Sequence, residues 1–314
     1  MPKSSNILLA LITLSFLWGS SFLAIKVVIQ VIPPILAFGI RFAIAGAALF
    51  VAYFFNERRQ HVKNEYIAKN QWKDALLAAI LIVVGGQGLL VWGTQYLSSG
   101  MTALLNSTIP LWIAIVAALV FKQHLTKRMI VGLIAGFLGL LTLLNPFPGG
   151  TGNNTIDMIG VISLTPSSIF WALGSLYSSK AHLPVSILAS AGMLMLIGGI
   201  ILVAVSFAIG EFQHLQLSGV SINFLTAYFY LILLCTALGY AQFFWLLHVE
   251  SESIANSFAY IVPVIAVFLG WAVFKEPISI QVLIATGIIM IGVALMVTRS
   301  SRKRQNNNNN SNLR

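Results

Sequence analysis

Residues 86–122, GQGLLVWGTQYLSSGMTALLNSTIPLWIAIVAALVFK, and residues 239–275, GYAQFFWLLHVESESIANSFAYIVPVIAVFLGWAVFK, decide the fold when laid over each other. At this offset of 153 residues Gly86 falls on Gly239, Trp92 on Trp245, Pro110 on Pro263, Phe121 on Phe274 and Lys122 on Lys275, with no gap. The register continues outward: Trp18 falls on Trp171, Gly39 on Gly192, Gly46 on Gly199 and Gly139 on Gly292. Apolar residues coincide easily in such a chain, whereas tryptophan is scarce, so the two halves read as duplicates.

The solvent of that duplicated unit follows from composition. Of the 314 residues 58% are hydrophobic and only 8% charged, against about 25% charged in soluble domains. A single soluble core of this size fails, because such cores stop growing near roughly 250–300 residues and still need a charged shell. The net charge of +10 raises nucleic acid as a partner, but the basic residues fall mainly between apolar runs, where cytoplasmic loops of membrane proteins carry them. No nucleic acid partner is expected. Cys235 is the one cysteine, which leaves neither a disulfide framework nor a thiolate cluster.

A membrane-spanning helix needs about 20 mostly apolar residues, and Pro, Gly and polar clusters divide the sequence into ten of them. The expected spans are 7–30, 33–55, 75–94, 98–121, 129–144, 158–179, 185–209, 222–247, 254–274 and 278–297. The first outruns the about 7–15 apolar residues of a secretory signal and reads as an uncleaved helix. With the N-terminus inside, fifteen of the 18 Lys and Arg fall on the cytoplasmic side, so both termini are expected in the cytoplasm of a multi-pass protein of the cytoplasmic (inner) membrane. The expected organisation is a first repeat over 1–144, an outer connecting loop over 145–157, a second repeat over 158–297 and a disordered, asparagine-rich cytoplasmic tail over 298–314. Five spans is an odd number, so the second repeat enters the membrane inverted, as in many secondary transporters.

Short motifs give the chain a resemblance. Trp18-Gly19-Ser20-Ser21-Phe22 with Lys26 lies in the first span, Arg41 in the second, and Phe274-Lys275-Glu276-Pro277 follows the ninth. In these the chain resembles the EamA family of the drug/metabolite transporter superfamily over about residues 7–297. The resemblance implies an all-α polytopic membrane protein of ten helices in two inverted five-helix repeats, with a cavity lined by helices 1, 3, 4, 6, 8 and 9. It also implies export. One departure is visible: the first half has Phe121-Lys122-Gln123-His124 at the repeat-equivalent place, so the loop acid is not required in both halves.

Polar side chains within spans are tolerated where they face a cavity or another helix, which makes each a candidate ligand of a substrate. Thr102 and Asn106 share a helical face with Pro110, and Asn256 and Tyr260 share one ahead of Pro263. Each proline marks either a hinge or a fixed kink. Gln87 and Tyr240 are repeat equivalents, with Thr236 and Gln242 near the latter; such groups bond either a substrate or a neighbouring helix. Trp18 and Trp171 are expected to line the cavity, because Gly19, Ser20, Ser21, Gly174 and Ser175 beside them are small. Arg41 lies about 12 Å into the layer at 1.5 Å per residue. It either snorkels to loop carbonyls or receives a substrate carboxylate with Lys26 assisting.

The absences narrow the chemistry. Every Asp and Glu falls at a helix end or in a loop, as do all five His. A buried carboxylate for proton-coupled export of cations is therefore lacking, and a neutral, zwitterionic or anionic substrate is expected. No Gly-x-Ser-x-Gly elbow or His-Glu-x-x-His motif occurs, so no cofactor, no metal and no enzymatic activity are expected. The leading expectation is a secondary transporter for a small amphipathic metabolite, an amino acid or a related compound, as a monomer or homodimer in the lipid bilayer. Drug efflux by the same route is the alternative, ahead of an intramembrane enzyme or a non-transporting assembly subunit.

Overall fold

The computed structural model describes residues 4–297 except 61–66, 121, 123–124, 145–157, 185, 216, 251, 277 and 279. The expected connecting loop and C-terminal tail lie outside the described residues.

Among the described residues ten helical spans follow one another: α1 (Ser4–Val28), α2 (Pro34–Gln60), α3 (Lys69–Thr94), α4 (Ser99–Leu119), α5 (Lys127–Leu144), α6 (Met158–Ser178), α7 (Ile187–Ala208), α8 (Ile222–Val249), α9 (Ser257–Phe274) and α10 (Ile280–Val297). Eight are long and apolar enough to cross a membrane; α10 is apolar over the shorter stretch Ile280–Gly292. Large apolar side chains such as Leu119, Phe207, Ile222 and Ile280 are more than 70% exposed on the outside. In water so much exposed apolar surface would drive association, whereas hydrocarbon solvates it.

The expected boundaries hold within a few residues except at α3, which begins six residues earlier than hydropathy suggests. The early turns carry Lys69, Lys73 and Asp74 and stay helical because Asp74 finds partners on the next layer: Tyr177 Oη donates to it at 2.8 Å and the backbone N–H of His182 at 2.8 Å.

The halves meet through their own counterparts. α2 packs along α7, and α5 along α10. On α2, a Cβ at Gly39 would stand 2.7 Å from the backbone N of Val203, and one at Gly46 2.3 Å from that of Leu196. The reciprocal contacts are present: a Cβ at Gly192 would come within 2.9 Å of the Phe50 N, and one at Gly199 within 2.3 Å of the Ala43 N. Backbones this close need glycine on both helices. Because residue numbers rise on one helix as they fall on the other, these counterparts run antiparallel, which is what inversion requires. Gly139 against Ala285 and Ile289, and Gly292 against Gly132 and Gly136, repeat the arrangement between α5 and α10. α1 packs on α8 and α9 of the opposite half, and α6 on α3 and α4.

Two departures from regular helix recur in both halves at overlapping places. α3 and α8 each contain a nine-residue π-helical stretch, Ile80–Gly88 and Tyr230–Leu238. α4 breaks at Ser107–Thr108 before Pro110, and α9 passes through a 3-10 turn, Ser257–Tyr260, before Pro263. The prolines therefore sit in the first turn of a new helical segment, where a missing N–H costs nothing; they are helix starts and not kinks within continuous helices. Lys122 and Lys275, also equivalents, have φ of 50° and 53° and lie beyond the C-terminal ends of α4 and α9.

Candidate functional site

A cavity lies where the two halves face each other. It is lined by Trp18, Ser21, Phe22 and Ile25 of α1, Arg41 of α2, Gln87 and Leu90 of α3, Asn106 and Ile109 of α4, Trp171 of α6, Tyr240 of α8, and Phe258 and Val262 of α9. Six of these seven helices are those the resemblance implies; α2 is added through Arg41. The cavity measures ≈ 40 Å³, and a water needs roughly 10–15 Å³ of it. At that volume the cavity is narrow.

The π stretches and the repeat build its walls. Trp18 packs on Gly239 of α8, whose Cβ would meet the indole nitrogen at 2.7 Å; Trp171 packs on Gly86 of α3, the equivalent contact. The indoles meet each other edge to face, with centroids 5.6 Å apart at 86°. Phe258 stands edge-on to Trp18 at 4.5 Å, Tyr240 lies 5.3 Å from Trp18, and Phe243 lies 5.3 Å from Trp171. Aromatic pairs in this range of separations prefer tilted and edge-on geometry. A buried indole N–H needs an acceptor. Trp18 donates to the Cys235 carbonyl at 2.9 Å, and Trp171 to Asn256 Oδ1 at 3.3 Å.

Seven of the residues singled out from the sequence line this cavity: Trp18, Ser21, Arg41, Gln87, Asn106, Trp171 and Tyr240. Thr102, Ser175 and Asn256 do not. Thr102 Oγ1 donates to the Ser98 carbonyl at 2.9 Å within its own helix. Asn256 donates to Ser175 Oγ at 3.2 Å while accepting from Trp171, so this pair holds the indole from behind. The side chain of Tyr260 lies outside the described ones. Lys26 also points elsewhere, donating to the Thr94 carbonyl at 2.7 Å. Ile109 and Val262 line the cavity and escaped notice because they are apolar, although they are repeat equivalents beside the two prolines.

Arg41 is 3% exposed. It neither snorkels nor pairs with a carboxylate. Nε donates to Thr236 Oγ1, and the guanidinium carbon lies 4.6 Å from the Phe38 ring centroid and 5.3 Å from that of Phe42. Nη1 has no hydrogen-bond partner among the described residues, and neither does the Tyr240 hydroxyl.

Acidic side chains are engaged at the helix ends. Glu276 accepts from Ser99 N at 3.0 Å and Ser99 Oγ at 2.7 Å, and Glu211 from Leu36 N at 2.8 Å and Ser206 Oγ at 2.7 Å. Each satisfies donors that a helix start leaves open and suits the positive end of the helix dipole. Sequence reasoning saw Glu276 only as part of a motif, because its partner lies 177 positions away. Among the described residues no cluster of His, Cys, Asp and Glu has a metal-binding arrangement.

Comparison with known proteins agrees with this architecture. The model of the EamA-like transporter family matches the chain twice, over residues 5–145 and 158–298. YedA of Escherichia coli K12, named an uncharacterized inner membrane transporter, is 30% identical over 288 residues, 91% of this chain and 89% of that one. YoaV of Bacillus subtilis, named an uncharacterized transporter, is 24% identical over 301 residues, 95% and 99% of the two chains. A crystal structure superposes with a TM-score of 0.67 at 20% identity, covering 95% of this chain and 98% of its own, and shares the fold. Duplicated, inverted and closed around a cavity of aromatic walls, the chain belongs to the EamA-like transporter family and is a transporter built from membrane-spanning helices.

Proposed function

We propose that the protein is a secondary transporter that exports a small amphipathic metabolite, an amino acid or a related compound, by alternating access across the cytoplasmic membrane, with both termini in the cytoplasm. The observation that carries this reading is the narrow cavity between counterpart helices of two inverted halves. A site bordered by helices of both halves is exposed to each face in turn when one half rocks against the other. At ≈ 40 Å³ the cavity is too small for an amino acid, so loading requires the halves to part.

The lining suits an amphipathic solute. Trp18, Trp171, Tyr240 and Phe258 offer apolar faces, and Gln87, Asn106 and Ser21 offer polar atoms. Among the described residues no Asp or Glu lines the cavity, which disfavours efflux of cationic drugs, since a cation in a low-dielectric pocket needs a compensating charge. Fifteen of the 18 Lys and Arg on one side and the inner-membrane description of YedA support the location and orientation.

The test is counterflow in proteoliposomes loaded with an unlabelled amino acid and challenged with the same compound in labelled form, across a panel of the common amino acids. Exchange of at least one member above protein-free liposomes is expected. Exchange of none, with a neutral or cationic drug exchanging instead, contradicts the metabolite reading.

A further inference from the structure

Arg41 is the feature the architecture does not explain. At the repeat-equivalent position the second half carries Leu194, which is fully buried, so the fold accepts an apolar side chain there. The guanidinium is nonetheless buried among Phe38, Phe42 and the cavity, with a single side-chain hydrogen bond, to Thr236. A buried cation is costly unless an anion compensates it. Glu276 and Glu211 are engaged at helix starts, and among the described residues no acidic group lines the cavity.

The broken helices do not supply an alternative anion site. The second segment of α4 closes its first turn on itself, with Leu111 N donating to the Thr108 carbonyl at 2.8 Å, and that of α9 does likewise through Ile265 N to the Ile261 carbonyl at 3.2 Å. Two buried side chains that line the cavity carry a polar atom with no hydrogen-bond partner among the described residues, Arg41 at Nη1 and Tyr240 at its hydroxyl.

We infer that Arg41 Nη1 and Tyr240 Oη form an anion subsite that receives the carboxylate of the substrate, whose body lies against Trp18 and Trp171. This deepens the transporter reading and rests on it. The compensating charge for Arg41 then arrives with the substrate. The empty protein carries an uncompensated cation, and carboxylate binding relieves it. A planar guanidinium with a free N–H suits a carboxylate, where a lysine would offer only a point charge.

The experiment uses the full chain in lipid nanodiscs and follows tryptophan fluorescence and thermal stability. L-leucine and L-phenylalanine are titrated against L-leucinamide and L-phenylalaninamide, which keep the body and lose the anion. The acids are expected to bind saturably and the amides at least tenfold more weakly. Arg41→Leu is expected to weaken acid binding at least tenfold while leaving the melting temperature of the empty protein unchanged or raised, and Tyr240→Phe to weaken it several-fold. If Arg41→Leu does not fold, Arg41→Gln is judged by the same binding criterion. Amides that bind as tightly as acids, acids that do not bind, or a neutral variant at position 41 that binds acids like the wild type each overturn the anion subsite. Counterflow separates the two readings: transport of a solute that Arg41→Leu leaves unaltered sinks the subsite and leaves the transporter standing.

Discussion

The two halves of the molecule agree in their backbone and disagree in their chemistry. Where they touch each other, equivalent positions carry the same residue: Gly39 and Gly192, Gly46 and Gly199, Gly139 and Gly292, and the indoles of Trp18 and Trp171 on Gly239 and Gly86. The polar residues of the cavity wall have no like equivalent: Arg41 stands against Leu194, Gln87 against Tyr240, Asn106 against Ala259 and Ser21 against Gly174. Duplicated contacts hold a symmetric frame, because a contact repeated by an axis must suit both of its copies. A substrate has no such symmetry, so the site is free to place its charge on one half only.

The comparison breaks most readily at the glycines. Gly46→Ala and Gly199→Ala each push a methyl to 2.3 Å from backbone of the opposite half, and each is expected to cost about 3 kcal/mol. Thermal unfolding in detergent measures this. Gly287, whose Cβ would meet nothing within 4 Å, is the control: Gly287→Ala is expected to be neutral or to stabilise by up to about 1 kcal/mol. Equal effects at both places would deny the glycine contacts their role.

The helix-end acids test whether the halves are held differently. Glu276→Gln removes the charge from an acceptor of two hydrogen bonds on Ser99 and is expected to lower stability by about 1–2 kcal/mol. The first half has Gln123 at the equivalent place.

Smaller effects sharpen the picture within the cavity wall. Trp18→Phe loses a 2.9 Å bond to a backbone carbonyl and is expected to cost about 1 kcal/mol; Trp171→Phe, losing a 3.3 Å bond to a side chain that can turn to other partners, is expected to cost less. The smallest effect belongs to the left-handed lysines. Lys122→Gly and Lys275→Gly are expected to gain roughly 0.5 kcal/mol each, since glycine adopts that conformation without the Cβ clash.

How much of this was legible in the chain depends on what kind of signal each feature leaves. The ten helices, the duplication and the inversion were readable, because hydropathy is local and the offset of 153 residues is held without gaps. The glycine matches were visible as coincidences, but their meaning, counterpart packed against counterpart, needed the third dimension. Polar residues buried in helices were found by type, and seven of them line the cavity. Thr102, Ser175 and Asn256 look the same in sequence and instead bond within the protein, because four residues of helical spacing fix a face and not what lies opposite. Phe258 and Val262 carried no signal above their apolar background.

The central claim is that equivalent positions of the two halves lie on opposite faces of the membrane. Lys69 and Ile222 are the first residues of α3 and α8, are repeat equivalents, and are both exposed; the native Cys235 is buried and shielded from reagent. Single cysteines placed at 69 and at 222 are to be labelled with a membrane-impermeant maleimide in intact cells and in inverted vesicles. The account predicts that position 222 labels in cells and position 69 only in inverted vesicles. Labelling of both from the same side would contradict it.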